Sequence, residues 1–250
     1  MFSRCTNVEN VFIDDDFDLS KVVCDLGCLE AKINLDKRSI VGDFQAMTFD
    51  IFMINISSLP AHYEDLKKDM HAMKSDYICL VETWLTAETA DDCQMEGFSL
   101  EHASHGRGKG CCLYSKESQD TVLLCKHVDD NCQVLSMRIK KDIQLTVIYI
   151  SDSSRIDDVK KSLESMFNKD LFQIVLGDFN FDKDEENKLT KFFKSMGMVQ
   201  LITQPTHNLG RTIDHCYVSQ GHLQLDVKVV SPYYSDHSAI SLKIVEPMEV

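Results

Sequence analysis

Short apolar segments typical of β-strands recur along most of the chain, and they restrict the possible folds more than any other feature. Residues 48–56, 76–81 and 171–176 are rich in apolar and β-branched side chains. Similar segments occupy residues 106–114, 120–124, 133–139, 143–150, 211–218, 223–230 and 239–245. So many short strands must be stacked as sheets around a shared core.

Three segments with helical spacing lie between these strands, at residues 60–73, 156–168 and 185–196. We therefore predict one α+β domain over residues 48–246, with two packed sheets and helices outside them. Residues 1–47 carry an acidic run at positions 14–18 and little periodicity. This pattern predicts an acidic leader that is poorly ordered or peripheral.

The charge of the chain limits what it can bind. It has 26 Lys and Arg against 40 Asp and Glu, a net charge of -14, which excludes gripping nucleic acid or anionic membrane through bulk positive charge. Clustered acids could instead hold a divalent cation that attracts phosphate. The ten cysteines, without a secretory signal or a long apolar run, predict an intracellular, nuclear or cytoplasmic protein with free thiols and no membrane segment.

Asp178 and Asn180 follow an apolar strand in the sequence Val-Leu-Gly-Asp-Phe-Asn. Residues i and i+2 of an extended chain face the same side, so the two side chains are expected to point together. The same sequence is also good turn chemistry, so this motif alone does not decide between a site and a turn.

Three further segments place polar groups at strand ends. Glu82 follows the apolar run at residues 78–81, and Asp214-His215 and Asp236-His237 each border a predicted strand. Carboxylate and amide oxygens suit Mg²⁺, or Mn²⁺ in its place, and a nearby imidazole could act on a phosphoryl oxygen. Together these residue types predict metal-assisted hydrolysis of a phosphate ester.

In this order the motifs resemble the endonuclease/exonuclease/phosphatase superfamily of Mg²⁺-dependent phosphoesterases. The resemblance rests on Asn55, Glu82-Thr83-Trp84, Tyr149, Gly177-Asp178-Phe179-Asn180, Ile213-Asp214-His215 and Ser235-Asp236-His237. It spans roughly residues 48–245 and implies a DNase I-like, four-layered αββα sandwich with two mainly antiparallel sheets. The active site would lie where the strand ends of both sheets meet.

The resemblance also implies roles for single residues. Glu82, supported by Asn55, would hold the metal, and Asp236 would lie in the metal shell. Asp178 would orient or deprotonate the attacking water, with Asn180 beside it. The remaining roles concern the phosphate: His237 would stabilise it, Asp214 would support His237, and Tyr149 would donate a hydrogen bond to it.

Within the superfamily, four motifs look most like the endonuclease domains of non-LTR retrotransposons, and closer still to those attached to Helitron-type and Pif1-like helicases. These motifs are Glu82-Thr83-Trp84-Leu85, Gly106-Arg107-Gly108-Lys109-Gly110, Gln204-Pro205-Thr206-His207 and Tyr233-Tyr234-Ser235-Asp236-His237. This implies a DNA-nicking enzyme that functions with, or derives from, a helicase or reverse transcriptase polyprotein. Substrate contacts would come from Arg107, Lys109, Arg211 and Thr206. The sequence contains no Walker A motif, so we expect no helicase motor in this chain.

Two alternatives stay open at this point. The same core residues would serve a phosphatase or phosphodiesterase acting on phosphoinositide, sphingolipid or nucleotide. A transposon relic could also survive as an inactive binding or scaffold module. A nuclease requires cationic side chains on the rim of the site, whereas a small headgroup requires only a tight pocket. The oligomeric state does not follow from the sequence.

Overall fold

A computed structural model gives the structure of the protein and describes residues 48–221 and 223–245. The segment predicted as an acidic leader, residues 1–47, lies outside the described residues. Twelve strands, numbered along the chain, form two six-stranded sheets. The first sheet contains β1 (Thr48–Asn55), β2 (Tyr77–Val81), β3 (Phe98–Ala103), β4 (Cys111–Lys116), β11 (Gln224–Val230) and β12 (Ala239–Val245). The second contains β5 (Thr121–Val128), β6 (Cys132–Ile139), β7 (Ile143–Ile150), β8 (Phe172–Asp178), β9 (Met198–Gln200) and β10 (Asp214–Ser219).

Each sheet has one parallel pair at its centre. The strand orders are β11-β12-β1-β2-β4-β3 and β5-β6-β7-β8-β10-β9. The pairs β1/β2 and β7/β8 are parallel, and the other pairs are antiparallel. The prediction of two mainly antiparallel sheets is therefore confirmed. Because parallel strands point the same way, the carboxyl ends of each central pair lie at one edge of the sheet.

Three apolar layers separate the elements. Ile51, Cys79 and Val81 of the first sheet pack against Leu145 and Val147 of the second in a shared inner core. The helices are α1 (Leu59–Leu66), α2 (Met70–Lys74), α3 (Ala87–Ala90), α4 (Ile156–Met166) and α5 (Lys188–Ser195), with single 3₁₀ turns at Asp91–Cys93 and Ser153–Arg155. Helices α1 and α2 contribute to the outer core of the first sheet, and α4 and α5 to that of the second. The predicted αββα sandwich is confirmed.

The structure departs from the sequence prediction in the first helix and in two strands. The segment 60–73 is two short helices, because Asp69 interrupts it: its carboxylate accepts hydrogen bonds from the backbone N–H of His71 (2.8 Å) and Ala72 (3.3 Å) and so begins a new helix. Strand β3 was not predicted, since its sequence Phe-Ser-Leu-Glu-His-Ala is half polar. Strand β9 was not predicted either, since it is only three residues long.

One glycine fixes how closely β8 can approach β7. Gly177 pairs with Ile148, and a Cβ atom at residue 177 would lie 1.7 Å from the carbonyl oxygen of Ile148. Its φ of 155° is also one that side-chain-bearing residues rarely adopt. Any other residue would push β8 away from β7 just before Asp178. Among the helices that the structure describes, none is long and apolar enough to cross a membrane.

Candidate active site

Six of the predicted site residues meet at one edge of the sandwich. Carboxyl ends of β1, β2, β7 and β8 lie there beside the amino ends of β10 and β12, because the latter strands run antiparallel to their neighbours. Asp178 is the cross-strand partner of both Tyr149 and Asp214. The residues brought together are Asn55, Glu82, Tyr149, Asp178, Asp214 and His237.

Asn55 connects the two sheets through its side-chain amide. Its Nδ2 donates to Oε1 of Glu82 at 3.0 Å and to Oδ2 of Asp178 at 2.9 Å. Its Oδ1 accepts from the backbone N–H of Ser57 at 3.1 Å. The Tyr149 hydroxyl also donates to Oε1 of Glu82, at 3.1 Å. An amide nitrogen has only two N–H groups, and Asn55 donates both of them to carboxylates, which holds the two carboxylates in place.

Asp178 is buried beside a second carboxylate. It is 1% exposed, and its Oδ1 accepts from the backbone N–H of Asn180 at 2.9 Å. Burial and the nearby charge of Asp214 raise the pKa of Asp178 well above its usual range, although His237 and the hydrogen bonds from Asn180 and Asn55 oppose this. A carboxyl group tuned this way could bind a proton from an attacking water.

Asp214 and His237 form a buried ion pair. Nδ1 of His237 lies 2.8 Å from Oδ2 of Asp214, and the side chains are 7% and 0% exposed. Burial by itself would lower the pKa of His237, but the hydrogen bond and charge of Asp214 outweigh it and raise the pKa to about 9. The imidazole is therefore protonated at neutral pH. With Nδ1 fixed by Asp214, its Nε2–H is the donor available to a phosphate.

The loops that carry these residues have unusual backbone conformations. Five residues without a glycine's freedom adopt φ between 48° and 111°, in the loops that follow β1, β2 and β8: Ser57, Ser58, Glu82, Trp84 and Asn180. Such conformations cost roughly 1–3 kcal/mol each and persist where the surrounding structure enforces them. Here backbone bonds enforce them: Ser58 N–H donates to the Glu82 carbonyl (2.9 Å) and Trp84 N–H to the Lys109 carbonyl (2.9 Å).

Thr206 and Ser235 support the site from behind. Thr206 was predicted to contact substrate, but it is fully buried, and its Oγ1 accepts from the backbone N–H of Asp214 (3.0 Å) and of Ile213 (3.2 Å). That prediction is corrected: Thr206 holds the strand start at Asp214. Ser235 received no role from its sequence, yet its Oγ donates to the Asn55 carbonyl (2.7 Å) and accepts from the His237 N–H (3.0 Å).

Asp236 and His207 lie at the outer rim. The Asp236 side chain is 52% exposed, and its Oδ2 is 3.7 Å from Nε2 of His207. The His207 ring packs edge-on against His237, with centroids 4.8 Å apart. Sequence reasoning missed His207, because a single His after Gln-Pro-Thr gives no sign of a bridge to a distant strand. Among the described residues, the Asp236 side chain pairs with His207, whereas Asn55, Glu82 and Asp178 are bonded to one another.

The predicted cationic contacts are spread around this edge. Arg107 is exposed, with its guanidinium 5.6 Å from the ring centroid of Trp84. Lys109 is held by the β5–β6 turn, since its Nζ donates to the carbonyl of Asp130 at 2.8 Å. Arg211 is exposed at the start of the segment leading to Asp214. The rim is therefore partly cationic, although the charge of Lys109 is partly offset by the acidic residue Asp130 beside it.

The donor set fits a hard divalent cation. Glu82, Asp178 and Asp214 bring three carboxyl groups beside one imidazolium in a largely buried place, and a divalent cation there would offset the charge of Asp214 that raises the pKa of Asp178. Oδ1 of Asp214 is buried without a hydrogen-bond partner among the described residues. Ligand atoms of Asp178, Asp214 and His237 lie within 4.8 Å of one another. Oxygen donors of this kind suit Mg²⁺ or Mn²⁺.

Comparison with solved structures shows where this fold has been seen before. The truncated TDP2 of Caenorhabditis elegans superimposes with a TM-score of 0.62 at 13% identity, covering 80% of this chain and 98% of that one. The endonuclease domain of TRAS1, a telomere-specific non-LTR retrotransposon, gives a TM-score of 0.61 at 13% identity, covering 80% of this chain and 99% of that one. The 3' phosphatase NExo from Neisseria, bound to product DNA hairpin, gives a TM-score of 0.59 at 16% identity, covering 78% of this chain and 98% of that one.

No curated protein sequence matches the chain. The family model described as Endonuclease/Exonuclease/phosphatase family matches residues 47–237, which is most of the chain and contains every residue of the site above. The fold, the order of the motifs and their meeting at one edge of the sandwich agree with that match. The chain belongs to the Endonuclease/Exonuclease/phosphatase family.

Proposed function

We propose that the protein is a Mg²⁺-dependent phosphodiester hydrolase that nicks DNA. The observation that carries the proposal is the convergence of three carboxylates, a bridging amide and a cationic imidazole at one edge of the sandwich. This arrangement can place a cation, a water molecule and a phosphate side by side, which hydrolysis of a phosphate ester requires.

Glu82 would hold the cation, with Asn55 fixing the direction of its carboxylate. Bound there, Mg²⁺ would neutralise charge on the phosphate and help position it. Asp236, on the exposed rim, would contribute to the outer shell of the cation. Mn²⁺ could replace Mg²⁺, since both prefer oxygen ligands.

Asp178 would orient the attacking water and accept its proton. Its raised pKa supports this, since a proton acceptor works best when its pKa lies near the working pH. Asn180, held by a 2.8 Å hydrogen bond from its Nδ2 to the Ile150 carbonyl, would fix the nucleophile and phosphate relative to Asp178. The water oxygen would bond to phosphorus in line with the 3' oxygen as the bond from phosphorus to that oxygen breaks. The departing oxygen would take a proton from solvent, which leaves 3'-hydroxyl and 5'-phosphate ends.

His237 would donate from Nε2 to an oxygen of the phosphate and stabilise the charge that develops there. Asp214 would keep the imidazole cationic and correctly turned. Tyr149 would donate its single hydroxyl hydrogen to the phosphate in place of Oε1 of Glu82, which accepts it in this structure. The buried ion pair is fixed before substrate arrives, so His237 needs little reorganisation during the reaction.

DNA is the favoured substrate class because of what similar structures act on. One is a retrotransposon endonuclease domain, another is a TDP2 complexed with single-strand DNA product, and a third holds a DNA hairpin. Arg107, Lys109 and Arg211 would contact the DNA backbone. The net charge of -14 implies modest and salt-sensitive affinity. We further propose that the domain is of transposon type and works with, or descends from, a helicase or reverse transcriptase polyprotein.

The test is to incubate the protein with supercoiled plasmid, an abasic-site duplex and a phosphoinositide panel, with Mg²⁺ or EDTA. Asp178→Ala and His237→Ala should each lose at least about tenfold of the Mg²⁺-dependent nicking, roughly 1.4 kcal/mol of transition-state stabilisation. The exposed residues Asp170 and His71 provide matched controls, and Asp170→Ala and His71→Ala should nick normally.

Two outcomes would contradict the proposal in different ways. Release of phosphate from lipid with the plasmid left intact would point to a phosphatase of the same fold. Absence of Mg²⁺-dependent turnover on every substrate would point to an inactive binding module.

A further inference from the structure

A second cavity opens at the same edge of the sandwich as the candidate active site. It lies between the edge strands β3 and β5 and has a volume of about 420 Å³. Leu85, Ala87 and Val128 give it apolar walls, and His102, His105 and Lys126 supply polar groups. We call it the edge pocket. Its volume falls within the range of small-ligand sites, about 300–1,000 Å³.

The strand order fixes the distance from the edge pocket to the active site. In the first sheet β4 separates β2, which delivers Glu82, from β3. In the second sheet β6 separates β7, which carries Tyr149, from β5. Two strand spacings of about 4.8 Å put the pocket about 10 Å from Glu82 and Tyr149, and a third spacing, to β8, puts it about 14 Å from Asp178. Along a nucleic-acid strand, the span to Asp178 is about four steps at a rise of ~3.4 Å per base.

Hydrogen bonds join the pocket wall to the site rigidly. Leu85 follows Glu82 by three residues, and its carbonyl accepts from the Gly106 N–H at 3.1 Å. Gln133, the cross-strand partner of Tyr149, accepts from the Gly110 N–H at 3.0 Å. The loop from Gly106 to Gly110 is therefore fixed to both sheets, so the distance between pocket and site is set by the fold.

The charge of the edge pocket differs from that of the whole chain. The chain carries a net charge of -14, yet among the residues that the structure describes no Asp or Glu lines the pocket, whereas Lys126 and two histidines do. Glu101 and Asp130 approach Lys126 (3.9 Å) and His105 (3.1 Å) from outside the lining. Apolar walls suit the face of an aromatic ring, and a lysine at the rim suits a phosphate.

We propose that the edge pocket binds a nucleotide of the substrate strand about four steps from the scissile phosphate. The base lies against the exposed side chains of Ala87 and Val128, and Lys126 contacts the backbone phosphate beside it. The inference rests on the proposed function for the nature of the ligand, a nucleic-acid strand. It adds a second contact point that would align the strand across the active site without bulk positive charge.

Binding of a fluorescent 15-nucleotide single strand, measured by anisotropy in Ca²⁺ to suppress turnover, tests this directly. Ala87→Trp should fill the pocket and weaken binding about tenfold, within the range that one stacked base provides. Lys126→Ala should reduce the slope of log affinity against log salt by about 0.7, as loss of one phosphate contact on a single strand would. Ala87 is exposed and Lys126 lies on an edge strand, so both variants should fold.

Matched controls are the same substitutions far from the pocket. Ala61→Trp, on an exposed position of α1, and Lys141→Ala, in the β6–β7 turn at the opposite end of β7, should bind like the wild type. Equal binding by Ala87→Trp, Lys126→Ala and the wild type, or no binding by the wild type, overturns the pocket assignment even if the protein nicks DNA. Weakened binding by the two pocket variants in a protein that cleaves nothing supports the pocket and refutes the proposed activity.

Discussion

Replacing Asp214 by Asn should remove the charge that keeps His237 protonated while preserving the shape of the site. The two side chains are buried, and Oδ2 of Asp214 lies 2.8 Å from Nδ1 of His237. An Asn can still accept the hydrogen bond through its amide oxygen, so the imidazole should keep its place. What changes is the free energy of the imidazolium.

The magnitude follows from the pKa of His237. Asp214 raises it to about 9 from an ordinary 6.5, against burial, which acts in the opposite direction. Asp178 and Asp236 add smaller contributions, so without the Asp214 carboxylate the pKa should fall toward its ordinary 6.5, and a complete fall corresponds to about 3 kcal/mol. At pH ~7.5 the cationic fraction would then drop from nearly all molecules to about one tenth. Activity at that pH should fall at least about tenfold if the imidazolium stabilises the phosphate.

The assay is a pH titration of the His237 ring by NMR in metal-free protein, with the signal assigned by its loss in His237→Gln. The pH dependence of nicking in Asp214→Asn should show the same displacement of the basic limb toward lower pH. Asp236→Asn is the matched control, because Asp236 is exposed and contributes less to His237. A ring that still titrates above pH 8 in Asp214→Asn would refute the role given to Asp214.

Three further predictions concern the scaffold, the cation and the stability of the fold. Gly177→Ala should cost roughly 3 kcal/mol or more in urea unfolding, since the added Cβ would lie 1.7 Å from the Ile148 oxygen, whereas Gly210→Ala, with open space around it, should cost about 1 kcal/mol; equal losses would contradict the close approach of β7 and β8. Glu82→Gln should weaken Mg²⁺ or Mn²⁺ binding at least about tenfold by calorimetry, and unchanged affinity would move the cation elsewhere. Burial lowers the pKa of His215 to about 4, so His215 stays neutral in the folded protein while it binds a proton near pH 6.5 in the unfolded chain. The neutral His215 therefore contributes fully to the free energy of unfolding above pH 6.5. About 3 kcal/mol of that free energy is lost as the pH falls from 6.5 toward 4. His215→Phe should flatten that pH dependence of unfolding, and an unchanged slope would show that other groups cause it.

The part of the site that could be predicted from sequence is the part carried by strand ends. Glu82 and Asp178 each follow an apolar run, so their position at the end of a buried strand could be predicted from the sequence alone. Their roles came from the resemblance of the whole ordered set of motifs. These motifs can be recognised in the sequence, in their order, because each consists of a few neighbouring residues.

Other features depend on contacts that no local pattern records. Asp69 divides a segment with continuous helical spacing, because its side chain competes for backbone N–H groups. Thr206 was predicted to face the substrate, yet its hydroxyl turned out to hold the backbone at Asp214. His207 contacts His237 only through a bridge between distant segments. Each of these outcomes is settled by which groups meet in space.

By itself, the sequence determined the two-sheet α+β architecture, the family and the residue types of the site, since these follow from alternating apolar segments and short motifs. Only the tertiary structure decided that Asn55 joins carboxylates from both sheets and that Asp214 keeps His237 charged. It also revealed the edge pocket, whose walls come from β3, β5 and the loop after β2. The physical reason is that hydrogen bonds and pKa values depend on distance and burial, which packing of the sheets sets.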